Sequence, residues 1–467
     1  MVTPPAVVFA APASGSGKTT LTTGIMAALR DSGYQVAPFK VGPDYIDPGY
    51  HSAATGRPGR NLDPVLTSPD LIGPLFRHGA HECDIAVIEG VMGLFDGRIG
   101  SGDLAEGSTA QIAALLGAPV VLIVDVRGHS QSLAALLHGF ATFDNRVRIA
   151  GVILNQVGSD RHEQVLREAC DRAGMVVLGV VPRSDDVSLP SRHLGLVTAT
   201  EHGGRADAAV AAMSALAQRC IDLGAVCRLA RSSVSAQPWE PETALAGGYH
   251  TGGLRPLIAV AGGPAFTFRY AEHDELLRTA GGDIEVFDPL TDELPRGTAG
   301  IIMPGGFPEL YADALAANAP LLRQVRSAAA AGIPIIAECA GLLYLSRMVE
   351  DYQMAGVIDC TAVFGKRLVL GYRDAVALAD SLIFRAGERV TGHEFHRTYL
   401  REIPAAPAWG WRGHGGDMTR EGFLSESIHA SYLHLHPAGF PESVGRFVAA
   451  ARAAAARATE SGNAAAR

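Results

Sequence analysis

Two stretches of the chain hold residue types that do chemistry when they sit at the end of a β-strand. The first is Pro12-Ala13-Ser14-Gly15-Ser16-Gly17-Lys18-Thr19-Thr20, which follows the apolar run Val7–Ala11 and precedes a helical pattern. Glycines let backbone N–H groups turn inward around phosphate oxygens, and the helix behind them points its positive end at the same anion. The expectation is an ATP-binding loop of Ser14, Gly15, Ser16, Gly17, Lys18, Thr19 and Thr20. Lys18 would reach the β- and γ-phosphates, and the Thr19 hydroxyl would hold Mg2+. Pro12 stands where the strict pattern has glycine, so the loop is a variant. The second stretch is Ala337-Glu338-Cys339-Ala340-Gly341, after the run Ile333–Ala337. Small residues flank a thiol at a strand–turn–helix, where crowding excludes larger side chains. A helix N-terminus there favours the thiolate. Downstream, the stretch from Ile428 to Pro437 offers histidines that can take the thiol proton and later protonate leaving ammonia. Gly305 and Gly306, after another strand, can supply N–H groups to an oxyanion hole.

Several further groups fall near the first stretch. Lys40 ends the apolar run Val36–Val41, on the edge where open α/β sheets bind ligands, and is a second candidate for phosphate. Glu89 ends the run Ile85–Glu89, where P-loop enzymes place a metal-orienting acid. Asp96 lies among Gly90, Gly93 and Gly97, where the chain can approach a ligand closely or simply turn. The segment from Val41 to His51 is dense in carboxylates and aromatics; Asp44 and Asp47 there can bind Mg2+, position an acceptor, or stabilise a turn.

The elements that must hold these groups are legible from periodicity. Buried strands are expected at Val7–Ala11, Val36–Val41, Ile85–Glu89, Val120–Asp125, Ile149–Asn155 and Val176–Val181, with crossover helices such as Lys18–Asp31 and Ser108–Leu116. That alternation describes a parallel sheet covered on both faces. A Ser/Pro/Gly-rich stretch over 230–255 reads as a linker. A new strand series then begins at Leu257–Ala261, Ile284–Phe287, Gly300–Met303 and Ile333–Ala337, followed by a β-rich segment over 361–399 and the strand Ser427–Leu433. The expected organisation is an ATP-binding domain over 1–229, the linker, a second α/β domain over 256–450, and an Ala/Arg-rich tail over 451–467.

With 467 residues, two domains are the default. A formal charge of −9 and no Lys/Arg run leave out the electrostatic footprint of a nucleic-acid binder. No apolar run is long enough to span a bilayer, and the N-terminus lacks the pattern of a signal peptide. Six scattered cysteines without a CxxC pair suit a reducing cytoplasm. The sequence does not bear on oligomeric state, with which a homodimer is compatible.

Taken together, these motifs resemble the a,c-diamide synthases of the cobalamin pathway, which act on cobyrinic or hydrogenobyrinic acid. The resemblance runs from about Val7 to Phe447. Its most specific stretch is Lys40-Val41-Gly42-Pro43-Asp44-Tyr45-Ile46-Asp47-Pro48, supported by Glu89–Gly97, Gly305–Glu309, Cys339, Gly392–His396 and Ser431–His436. It implies an N-terminal P-loop domain of dethiobiotin-synthetase type and a C-terminal class I glutamine-amidotransferase-like α/β domain. The implied substrates are a corrinoid, L-glutamine and ATP, with Mg2+. Glutamine is hydrolysed at Cys339, with His434 raising its nucleophilicity, and ammonia displaces phosphate from an activated acetate. The resemblance further places Lys40 on ATP, Glu89 and Asp44 beside Thr19 near the metal, Asp44, Tyr45, Asp47 and Asp96 around the acceptor and its phosphorylated form, and Asn155 against adenine. Ala340 replaces a glycine usual in that family but still offers its N–H to the oxyanion. No glutamate stands two residues after His434 or His436, so a Cys–His dyad is implied, and the choice of His434 rests on alignment alone. His393 and His396 are weak evidence for zinc. A nickel-sirohydrochlorin a,c-diamide synthase or a cobyric acid synthase is the alternative enzyme; a regulatory ATPase with a degenerate amidotransferase domain is the non-enzyme alternative.

Overall fold

Apolar β-rich runs of the first half pair side by side, all parallel. In the computed structural model, which describes residues 3–98, 104–183, 191–192, 195–196, 204–245, 253–402, 405–413 and 416–465, the chain forms two units, Met1–Trp239 and Glu240–Arg467. The first opens with β1 (Ala6–Ala10), α1 (Lys18–Asp31), β2 (Val36–Val41), α2 (Asp47–Thr55), β3 (Arg60–Leu62), α3 (Pro69–Gly79) and β4 (Ile85–Glu89). It continues with α4 (Thr109–Leu116), β5 (Val120–Asp125), α5 (Leu133–Phe143), β6 (Ile149–Val157), α6 (Asp160–Arg172), β7 (Val177–Pro182) and α7 (Gly204–Cys220). The sheet order is β3-β2-β4-β1-β5-β6-β7. Strands buried on both faces read as continuous apolar runs, and β1, β2 and β4 are buried at every position. Edge strand β3 escapes sequence reading because three residues carry no periodicity.

Helix boundaries follow local chemistry. Ser68, Ser108 and Ser159 each accept a backbone N–H from the first turn of α3, α4 and α6, satisfying donors that a helix start otherwise leaves orphaned. Helix α1 runs so close to α7 that a Cβ on Gly24 would fall 2.4 Å from the Met213 carbonyl oxygen. Trp239 packs edge-on against His78, and its N–H bonds the Pro74 carbonyl. The first unit therefore includes residues 230–239, within the stretch read as linker; residues 246–252 of that stretch lie outside the described residues.

The second unit has its own parallel sheet. Its strands are β8 (Leu257–Ala261), β9 (Asp283–Phe287), β10 (Thr298–Met303) and β11 (Ile335–Glu338), followed by helix α8 (Ala340–Leu345). A long antiparallel hairpin, β12 (Ile358–Ala377) with β13 (Arg389–Leu400), forms the β-rich segment, and β14 (Ile428–Ser431) returns to the main sheet. The order is β9-β8-β10-β11-β14, with Phe423–Leu424 antiparallel at the edge. Helix α9 (Pro441–Ala465) runs through the segment read as a tail, and Ala451 and Ala454 on it are buried. Both units are α/β, as expected. Among the described residues no helix is long and apolar enough to cross a membrane.

Candidate active sites

Parallel pairing of β2 with β4 sets Lys40 opposite Glu89 at the carboxyl ends of both strands. The pair is buried, with Lys40 Nζ 2.9 Å from Glu89 Oε1 and 2.6 Å from Asp47 Oδ2. Thr19 Oγ1 donates toward the same carboxylates, at 2.7 Å from Glu89 Oε1 and 3.2 Å from Asp47 Oδ2. One cluster thus joins the phosphate loop, β2, β4 and the start of α2. Burial alone would lower the Lys40 pKa, but Asp47 and Glu89 raise it above its ordinary value. Burial would likewise raise Glu89, yet Lys40 and His51 hold it far below the usual carboxylate range. Asp47 goes the other way: burial and the neighbouring Asp44 push it well up. More carboxylate is gathered here than Lys40 can neutralise.

The loop itself is shaped for an anion. Gly15 and Gly17 have φ of 79° and 88°, and Gly17 begins α1 with no side-chain cap. The first-turn N–H groups of α1 are left without a capping side chain, the geometry that binds phosphate. Ser14 and Gly15 are exposed at the crest, Thr20 is half-buried, and Ser16 Oγ bonds the Ala13 carbonyl. Lys18 Nζ rests 2.6 Å from the Met92 carbonyl oxygen. Burial, with Lys40 nearby, lowers its pKa to about 8. Asn155, expected at adenine, donates to the Ser16 carbonyl at 3.0 Å and braces the loop from beneath.

Two acids near this site make local contacts of their own. The carboxylate on Thr19 belongs to Asp47, whereas Asp44 Oδ1 accepts the N–H groups of Ile46 and Asp47 and so starts α2. Asp96 is an exposed turn residue whose Oδ2 accepts the Gly93 N–H at 2.9 Å. Tyr45 is half-buried between Asp44 and α2. His51 was not singled out from sequence. It is fully buried on α2, with Nε2 2.7 Å from Glu89 Oε2; its signal was position alone, one helical turn after Asp47 on the same face. The set fits Mg2+: hard oxygen donors on Thr19, Glu89 and Asp47, and excess negative charge. Among the described residues no three His, Cys, Asp or Glu side chains form a metal cluster, so nucleotide phosphate would complete the shell. His396 stacks on Tyr432 at 3.9 Å, and burial, with His434 beside it, lowers His393 to about 3.

In the second unit the strand–turn–helix around Cys339 forms as expected. Cys339 follows β11 with φ 46° and ψ −94°, a left-handed backbone for a non-glycine residue. Such conformations persist where surrounding structure enforces them, often at active sites. Here the Cys339 N–H bonds the Ser431 carbonyl at 2.7 Å, and a Cβ on Gly341 would lie 2.2 Å from the Met303 carbonyl oxygen. The expected lowering of the thiol pKa does not prevail. Burial, then Glu309, pushes Cys339 well up, and the Ala340 N–H offsets only part of this. Burial therefore opposes the thiolate that the helix start favours.

His434 is fully buried and held by paired backbone hydrogen bonds with His393, 2.9 Å in each direction. A Cβ on Gly305 would fall 2.4 Å from His434 Cε1, so the Gly-Gly turn and the imidazole lie in contact. On Gly306 a Cβ would meet the Ala265 carbonyl oxygen at 2.1 Å, which fixes glycine there too. His436 faces elsewhere: its Nδ1 accepts the Ala438 N–H, and its ring packs on Tyr270 at 4.2 Å. The implied dyad also has a carboxylate beside it, since Glu338 Oε2 lies 3.4 Å from His434 Nδ1.

Comparison with known proteins agrees with both halves. Residues 7–197 match the CobQ/CobB/MinD/ParA nucleotide binding domain, and residues 257–441 match the CobB/CobQ-like glutamine amidotransferase domain. The chain is 57% identical over 447 residues to hydrogenobyrinate a,c-diamide synthase of Mycobacterium tuberculosis, covering 95% of this chain and 97% of the relative. It is 53% identical over 474 residues to the protein of that name from Streptomyces coelicolor, with the same coverages. Against cobyrinate a,c-diamide synthase of Gloeobacter violaceus identity is 44% over 439 residues, covering 92% of this chain and 93% of the relative.

Proposed function

The chain belongs to the a,c-diamide synthase family of hydrogenobyrinate and cobyrinate, and from that premise we propose how its residues carry the reaction. It is a glutamine-dependent ligase that uses ATP to convert the a- and c-acetates of the corrinoid to amides. Hydrogenobyrinate is the proposed acceptor, because relatives at 51–57% identity carry that name and those at 40–44% the cobyrinate name.

In the first unit an acetate oxygen attacks the γ-phosphorus of ATP and ADP leaves. Ammonia then attacks the acyl carbon, and phosphate departs. Lys18 and the N–H groups of Gly15 to Thr19 hold the phosphates, and Lys40 offsets charge at the γ-position. Thr19, Glu89 and Asp47 would hold Mg2+, which supplies charge neutralisation for the transferring phosphoryl group. Asp44 and Tyr45 are left to meet the acceptor.

In the second unit Cys339 gives its proton to His434 as sulfur bonds the amide carbon of glutamine. The oxyanion takes N–H groups from Gly305, Gly306 and Ala340. The imidazolium passes the proton to departing ammonia, and water cleaves the thioester to glutamate and free thiol. The observation that carries this reading is that one chain gathers Thr19, Lys40, Glu89 and Asp47 in its first unit and sets His434 against the Gly305 turn in its second. Cys339→Ala tests it: amidation of hydrogenobyrinate with glutamine should stop while amidation with ammonium chloride continues, followed by mass spectrometry. Loss of both, or of neither, rejects the division of labour.

A further inference from the structure

We propose that Glu338 is the positioning acid for His434, completing by a different route the triad that the sequence after His434 lacks. This rests on the glutaminase reading above. Strand pairing supplies the geometry: Glu338 is in register with Ser431 across β11 and β14, and the chain reaches His434 three residues later. Glu338 Oε2 therefore approaches His434 Nδ1 at 3.4 Å from the position just before the nucleophile. A carboxylate at ion-pair distance from Nδ1 favours the tautomer with the proton on that nitrogen, which would direct Nε2 to the thiol.

Neighbouring acids are otherwise engaged. Glu394 pairs with Arg373 at 2.6 Å and His396 at 3.5 Å. Glu421 accepts the Ser431 hydroxyl and the Tyr432 N–H, at 2.6 and 2.7 Å. The remaining titratable groups around the pair are His393 across the backbone bridge, Glu309 near the thiol, and His273, which feels Glu338. The Glu338 side chain is 28% exposed and His434 is not exposed at all, so the carboxylate reaches solvent and the imidazole does not. A carboxylate there also stabilises the imidazolium that forms when the thiol is deprotonated.

The test uses the full chain with ATP, Mg2+, hydrogenobyrinate and either glutamine or ammonium chloride. Glu338→Gln should lower kcat for glutamine hydrolysis about 10²-fold, leave KM for glutamine in place, and leave ammonia-supported amidation unchanged. The acid limb of the glutamine pH profile should move down by about one unit, and Glu338→Asp should restore part of kcat. An unchanged kcat overturns the proposal. So does an effect confined to KM, which would make Glu338 a ligand for the glutamine ammonium, and so does equal loss of ammonia-supported amidation in both variants. Cys339→Ala and His434→Ala run alongside. If either still hydrolyses glutamine, the Cys–His assignment fails and the Glu338 role fails with it. If both are inactive and Glu338→Gln is not, only the Glu338 role fails.

Discussion

His51 Nε2 stands 2.7 Å from Glu89 Oε2, and neither side chain reaches solvent. The other carboxylate oxygen faces Thr19 and Lys40, so His51 sets the plane in which Glu89 meets the phosphate loop. His51→Ala leaves a buried carboxylate oxygen without its donor. We expect a loss of about 1–3 kcal/mol in unfolding free energy, read by urea titration. ATP-dependent amidation with ammonia should fall with it, while glutamine binding is spared.

The two loop glycines should respond differently to alanine. At Gly15 an added Cβ meets nothing within 4 Å, so the cost is the left-handed backbone, about 1–2 kcal/mol. At Gly17 the same strain is joined by contact with Asn155 Nδ2 at 2.4 Å. Gly17→Ala should therefore weaken ATP binding by at least about tenfold more than Gly15→Ala, each tenfold being about 1.4 kcal/mol. Calorimetry measures both, and Asn155→Ala in the Gly17→Ala background should recover part of the difference.

Gly305→Ala drives a methyl group into His434 Cε1 at 2.4 Å and Phe268 Cδ2 at 2.8 Å. Glutamine hydrolysis should drop about 10²-fold or more, as when an oxyanion donor and its base are displaced together. Ammonia-supported amidation should persist. Equal loss of both activities would show that the turn serves folding more than catalysis.

Glu421 provides a pH test of stability. Burial raises its pKa from an ordinary 4.5 to about 7. The folded chain thus binds more protons than the unfolded one across that window, so this contribution is complete below pH 4.5 and is lost as pH rises through 7. Glu421→Gln should flatten the corresponding part of the stability curve relative to the parent, measured by urea midpoints at intervals of pH. A parallel pair of curves would contradict the assignment.

Motifs that depend on one local turn were legible in the sequence. Lys18 and Thr19 follow a strand and open a helix, and Cys339 does the same in the second half, so each announces its own surroundings. Lys40 and Glu89 were placed correctly at strand ends because apolar runs have readable limits. Register was not readable. Whether Asp44 or Asp47 reaches Thr19 depends on where α2 begins, and Asp44 Oδ1 accepts the N–H groups at that start. The contact of Glu338 with His434 arises from cross-strand pairing between segments some ninety residues apart, a relation that spacing cannot show. The proposed acidic partner lies before the cysteine and not after the histidine.

The chain has three lysines, Lys18, Lys40 and Lys366. Burial lowers the Lys18 pKa to about 8, so a larger share of it is neutral near pH 7 than of an ordinary lysine, and its Nζ lies against the carbonyls of Ala13 and Met92. Lys40 keeps its proton between two carboxylates, and Lys366 lies exposed on the hairpin. Among its lysines, amine-directed labels applied to the native protein would thus find one ordinary target and one inside the nucleotide cradle. Protection of the latter by ATP would give an occupancy gauge that needs no engineered probe.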